Sequence, residues 1–294
     1  MDKEFKKIIS PIQSDLDIFE QKLKGLIEEQ NNFLKDDLIS FLFNKPKRLR
    51  VIFIYLISKI LKIEKDVLNI ALATELLHSA SLLHDDVIDE ETKRREKLTF
   101  FEKYSSKLAI LEGDFLLSLA LKVLSNEKKE IIAIFSNKIL KTIQAEILQY
   151  ENKNKVLSID GYLDKTFNKT GNLFLAGIEA LFEFCENDLA EKNKIIECVK
   201  NYSLAFQIKN DIDNFKKDLS DYKNGNYTLP VIYFSKENLI GKIDFSNEKF
   251  DKYIKLSIEK MNEIKKLSLD NLEKIENSAY KNALKELIIK TLGS

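Results

Sequence analysis

The sequence predicts an all-α fold in a single domain covering residues 1–294, and three observations lead there. Apolar residues recur every three or four positions along almost the whole chain, the period of an amphipathic helix. Only 8 Gly and 3 Pro occur in 294 residues, roughly a third of their usual combined share of about 12%. So few turn-formers argue against a sandwich, a barrel or a glycine-loop nucleotide fold. No repeat, low-complexity tract or linker interrupts the pattern.

In order along the chain, residues 12–34 read as a first helix with Ile12, Leu16, Phe19, Leu23 and Ile27 on one side. Pro46 breaks the chain before a second helix over about 48–63. A third, over about 66–90, is apolar on most sides from Ile70 to Leu83 and should be central. Residues 91–98 read as a polar loop, and helices follow over about 104–125, 127–152, 158–182 and 187–217. The stretch 218–228 is the most loop-like, Pro230 follows it, and the last 45 residues read as two Lys/Glu-rich amphipathic helices.

Composition narrows the function classes. Lys+Arg 47 balances Asp+Glu 47, which argues against a general nucleic-acid binder. Cys185 and Cys198 cannot build a disulfide framework or a cysteine zinc site, and are read as small buried hydrophobes. The start lacks the apolar region of a signal peptide, and the longest clean apolar run, Val51–Ile57, is far short of the ~20 residues of a membrane helix. The expected location is cytoplasmic, with attachment to a membrane surface left open.

The rare residues are not scattered. The four arginines, Arg48, Arg50, Arg94 and Arg95, and the two histidines, His78 and His84, all lie between positions 48 and 95, around the acidic run Asp85–Glu91; every other basic residue is a lysine. Arginine grips phosphate or carboxylate with a planar fork that lysine cannot copy. Asp85 and Asp89 are four positions apart, so on a helix their carboxylates project from nearly the same face. Oxygen ligands at that spacing suit Mg²⁺, which completes its shell with water and substrate phosphates. An acidic last turn also opposes the helix dipole and calls for a compensating role. Together these features point to a polyphosphate held by side chains and metal. His84 is read as a hydrogen-bonded structural histidine, with a metal ligand as the alternative.

The stretch ELLHSASLLHDDVIDE resembles the first aspartate-rich motif, DDxxD, of the trans-isoprenyl diphosphate synthases, or polyprenyl synthetases. Lys47-Arg48-Leu49-Arg50 resembles the family's GGKRxR segment, with Lys45 and Pro46 in place of both glycines. Arg94-Arg95, Gly113-Asp114, Lys169-Thr170, Phe206-Gln207 and the segment Gly225–Pro230 resemble later landmarks in the right order, from about residue 40 to 235. The resemblance implies a bundle of roughly ten or more helices around a central cavity, of isoprenoid synthase type. It implies a head-to-tail prenyltransferase that joins isopentenyl diphosphate to an allylic diphosphate, using two to three Mg²⁺ ions, in a homodimer. Carried over residue by residue, Asp85 and Asp89 would bind metal with Asp86 in support. Lys47, Arg50, His78 and Arg95 would hold isopentenyl diphosphate. Arg94, Lys169 and Gln207 would help hold the allylic diphosphate, with Thr170 lining the reaction centre.

The match breaks at the second aspartate-rich motif, which reads Asn210-Asp211-Ile212-Asp213-Asn214, and at Asn226, where the family has lysine. Asp211 is the expected second-site ligand, with Asn210, Asp213 and Asp218 as further candidates. A weakly active or non-catalytic partner subunit is therefore an alternative to an active synthase. Ala80 and Ser81 are small where short-chain synthases commonly carry a bulky aromatic; they and Leu77 are expected to set chain length and to permit a long, octaprenyl-type product for a quinone side chain. A farnesyl- or geranylgeranyl-length product is the alternative. Delivery of the product to a membrane is expected, with no transmembrane segment and no nucleic-acid partner.

Overall fold

Residues 3–30, 32–185, 189–217, 219–237 and 249–293 are described by the computed structural model, and helix follows helix along them. No described helix is long and apolar enough to cross a membrane. The chain divides into two units, one of residues 1–135, 176–187 and 277–284 and one of residues 136–175, 188–276 and 285–294.

The first unit begins with α1 (Lys3–Ile9), α2 (Gln13–Glu28), α3 (Lys35–Phe43), α4 (Leu49–Ile60) and α5 (Leu68–Ile88). α2 buries Leu16, Phe19, Leu23 and Ile27, the stripe its spacing predicts. The apolar run at 51–57 lies inside α4 and is buried on every side. α5 is the other wrapped helix, burying Ile70, Leu72, Leu76, Ala80 and Leu83 among others. It packs most extensively against α7 (Ser106–Leu124), beyond the short α6 (Phe100–Lys103).

The expected polar loop at 91–98 is instead a hairpin. β1 (Lys93–Arg94) and β2 (Lys97–Leu98) pair antiparallel, with Arg94 opposite Lys97. Arg95 and Glu96 make the turn at φ 49° and 68°, the left-handed pair that a two-residue hairpin demands. Neither is the Asn or Gly that announces such a turn, so the local strain hides the hairpin from a sequence pattern.

In the second unit, α8 (Lys129–Glu151), which begins in the first, is followed by α9 (Ile159–Thr166), a π turn at Phe167–Gly171, and the start of α10 (Asn172–Leu181), whose residues from Ala176 belong to the first. The helix expected over 158–182 is thus broken by the π turn. α11 (Leu189–Lys217) is the longest helix, and α14 (Lys249–Glu273) packs along it. Between them in sequence lie α12 (Ser220–Lys223), inside the expected loop, and α13 (Leu229–Ser235). Pro230 does not end a segment but sits in the first turn of α13, where its missing N–H costs nothing. Phe215, Val231, Phe250 and Tyr253 form an apolar cluster there. The last helix is α15 (Ala279–Leu292).

Candidate functional site

Each unit carries one cluster of the side chains singled out above. In the first unit the cluster is built on the end of α5 and the hairpin. Asp85 and Asp89 are half-buried on the last turn, and the Asp89 N–H donates to the Asp85 carbonyl at 2.8 Å. Asp86 points the other way and is 1% exposed. Arg94 grips its Oδ1 from Nε at 2.7 Å and Nη2 at 2.6 Å, while Oδ2 is buried without a partner. Burial pushes the Asp86 carboxyl up and Arg94 opposes it. The arginine expected on the allylic diphosphate is therefore engaged with the middle aspartate of the motif.

Arg95 donates from Nη1 to the Asn44 carbonyl at 3.0 Å. Burial, then the charges of Arg50, Arg95, Arg94 and Arg48, hold the His78 imidazole well below the usual value. Lys47 is exposed at the end of the segment before α4. A cavity of about 360 Å³ in this unit is lined by Asp86, Arg94, Arg95, Ser79, Leu82 and Phe100 among others.

A depressed histidine value has a sign. Protonation favours the unfolded chain, so the stability His78 contributes is intact above 6.5 and is lost as pH falls from there toward the folded-state value. Against His78→Gln, the wild type should lose relative stability in urea between about pH 7 and about pH 5. A difference that stays constant with pH would contradict this.

Two motif residues have structural jobs. Arg48 is 4% exposed and donates to Glu20 from Nε at 2.8 Å and Nη2 at 2.9 Å, and to Glu75 from Nη1 at 2.7 Å. Its guanidinium also lies over Phe19 and Phe43. One of the four clustered arginines is therefore a clamp inside the unit rather than a phosphate ligand. His84 lies against α7, with Nε2 3.4 Å from the Ile110 carbonyl and 3.3 Å from Asp114. A Cβ at position 113 would collide with its ring, which explains the Gly113-Asp114 pair in physical terms: space for the imidazole, then a partner for it.

In the second unit, Lys169 pairs with Glu146 of α8 at 2.7 Å. Asp211 is 8% exposed, and both its oxygens are engaged. Oδ2 accepts from the Tyr162 hydroxyl at 2.5 Å and Oδ1 from Gln207 at 2.7 Å. Burial raises the Asp211 carboxyl, with Tyr162, Gln207, Lys165 and Lys169 opposing. Thr170 donates to Gln207 Oε1 at 3.2 Å. Asp213 is exposed and paired with Lys209 at 2.6 Å, Asn210 is half-buried, and Asp218 lies outside the described residues. Tyr162 and Lys165 were missed by sequence reasoning. Tyr162 lies 49 positions before its carboxylate partner, so no local pattern joins them.

Among the described residues no group of three or more His, Cys, Asp or Glu side chains is gathered to hold a metal. Two carboxylates one turn apart fit a hard cation that takes the rest of its ligands from water and phosphate.

Residues 33–279 match the sequence model of the family described as Polyprenyl synthetase. A prenyl transferase of Cyanophora paradoxa is 33% identical over 246 residues, covering 79% of this chain and 76% of that protein. A decaprenyl-diphosphate synthase of Dictyostelium discoideum is 35% identical over 204 residues, 66% of this chain and 44% of that protein. The crystal structure of heptaprenyl diphosphate synthase from Staphylococcus aureus superposes with a TM-score of 0.83 at 25% identity, covering 95% of this chain and 97% of the other. The all-α isoprenoid synthase fold is thereby confirmed.

Proposed function

This chain belongs to the polyprenyl synthetase family and is a trans-prenyltransferase, and from that premise we propose that it elongates an allylic diphosphate with isopentenyl diphosphate to a long-chain polyprenyl diphosphate. The observation that carries the proposal is the end of α5, where Asp85 and Asp89 share one turn and Arg94 of the hairpin grips Asp86 in the same acidic run.

Lys47, Arg50, His78 and Arg95 would hold the diphosphate of isopentenyl diphosphate; Arg94, Lys169 and Gln207 would help hold the allylic one. Two to three bound Mg²⁺ ions would neutralise the leaving diphosphate, held by Asp85, Asp89 and Asp211, with Asn210 and Asp213 as further candidates. Asp211 would bind through lone pairs left over from Tyr162 and Gln207. The allylic C–O bond breaks with its electron pair leaving on the diphosphate. The double bond of isopentenyl diphosphate then forms the new C–C bond, and the proton lost from that unit would pass to an oxygen of the released diphosphate. The side chains of this site supply charge and position, and no nucleophile is needed.

A homodimer is supported by apolar side chains left exposed on α7 (Ile110, Leu111, Leu121) and on α8 (Leu140, Ile143, Ile147). Sedimentation at the mass of one chain would count against it. We place the reaction in the cytoplasm, with the product passing to a membrane. A weakly active partner subunit is the second proposal, favoured by asparagine at position 210.

Chain length is the test. Ser81 is half-buried one turn before Asp85, with its hydroxyl turned back onto the His78 carbonyl at 2.8 Å, and Ala80 and Leu77 are buried. Labelled isopentenyl diphosphate, an allylic primer and Mg²⁺ should give dephosphorylated products longer than C20 on chromatography. Ser81→Phe or Ala80→Phe should shorten them. A native C15 product, or no shortening in either variant, would remove the long-chain assignment, and no product at all would favour the partner subunit.

A further inference from the structure

Four polar side chains of the second unit form one hydrogen-bonded chain that converges on Asp211. The Tyr162 hydroxyl donates to Asp211, Gln207 donates to the other oxygen of Asp211, and Thr170 donates to the carbonyl oxygen of Gln207. Local structure brings the far end together. The π turn at Phe167–Gly171 swings Thr170 out of ordinary helical register, as such turns often do at functional sites. Gly171 lets α11 approach, since a Cβ there would collide with Phe167 and lie 2.9 Å from the Ser203 hydroxyl, one turn before Gln207.

We propose, resting on the transferase assignment above, that Tyr162 is a positioning residue that sets, through Asp211 and Gln207, which side of the Thr170 hydroxyl faces the reacting carbon. Gln207 gives its NH₂ to Asp211, so its oxygen is the end turned toward Thr170. The hydroxyl of Thr170 has one proton, and that proton is committed to Gln207. What Thr170 presents elsewhere is then lone pairs alone. A carbon that becomes positive as its diphosphate leaves is stabilised by oxygen lone pairs and opposed by an O–H dipole. Tyr162 is fully buried and occupies the second oxygen of Asp211, holding the carboxylate in the orientation that Gln207 requires. Without that bond the carboxylate can rotate, Gln207 can flip, and Thr170 can turn its proton outward.

A double-mutant cycle tests this. Tyr162→Phe should lower kcat about tenfold with both KM values within about twofold, because the interaction matters only in the transition state. In a Thr170→Val background the same change should do nothing further, and Thr170→Ser should restore the dependence on Tyr162. Additive losses, raised KM values with unchanged kcat, or an unaltered Tyr162→Phe enzyme would overturn the proposal. If thermal denaturation shows that Tyr162→Phe does not fold, 3-fluorotyrosine at position 162 keeps the shape while altering proton donation. Its effect on kcat must then also vanish with Thr170→Val, and an effect that persists would overturn the proposal. Turnover of the wild type is measured first: a protein that consumes no allylic diphosphate would refute the transferase assignment and this proposal with it, a failure distinct from an additive cycle.

Discussion

Asp85→Ala and Asp89→Ala should each lower turnover by roughly a thousandfold, about 4 kcal/mol of transition-state stabilisation, while the helical circular dichroism is unchanged. Ionisation of an allylic diphosphate leaves a multiply charged group that something must neutralise. Two carboxylates on one turn of α5 are the groups the chain offers for holding the cation that does so. Stability should move the opposite way. Both side chains lie on the last turn of α5, where negative charge opposes the helix dipole, so each removal should leave stability unchanged or raise it by about 0.3–1 kcal/mol. Lost activity with undiminished stability is the signature of a carboxylate kept for function. More than about a tenth of the wild-type rate in either variant, a loss below ~1.4 kcal/mol, would remove the metal assignment.

Arg48→Ala should cost about 3–5 kcal/mol of folding stability, the usual penalty for stripping one partner from a buried ion pair. The Glu75 side chain is 7% exposed and would keep a charge with its 2.7 Å partner gone. The loss is a large part of the ~5–15 kcal/mol that holds a typical domain together. Arg48→Lys should recover little, because a single ammonium cannot serve Glu20 and Glu75 with the three bonds the guanidinium makes. Urea titration measures both, and a loss under about 1 kcal/mol in Arg48→Ala would show that the clamp is not structural.

The contrast between these two sites shows what was legible beforehand. α5 was visible because fourteen consecutive positions from Ile70 to Leu83 are mostly apolar, and burial on several sides leaves that mark on any sequence. Asp85 and Asp89 were visible because their spacing is a helical turn and because acid at a helix C-terminus needs a reason. Arg48 was legible only as one of four clustered arginines. Its partners lie 28 residues before it and 27 after, and nothing local separates a clamp from a phosphate ligand. The hairpin at Arg95-Glu96 escaped because side chains with a Cβ were placed at left-handed φ, against their own preference. The π turn escaped for a different reason: one added residue inside a helix barely disturbs the apolar period. The link from Tyr162 to Asp211 is tertiary throughout, joining α9 to α11.

The measurement that bears most directly on the central claim is a single-turnover reaction of the wild-type protein with an allylic diphosphate, labelled isopentenyl diphosphate and Mg²⁺. The account predicts transfer of label into a prenyl diphosphate one five-carbon unit longer than the primer, and no transfer when Mg²⁺ is chelated. Label that remains in isopentenyl diphosphate while both substrates are bound would contradict it.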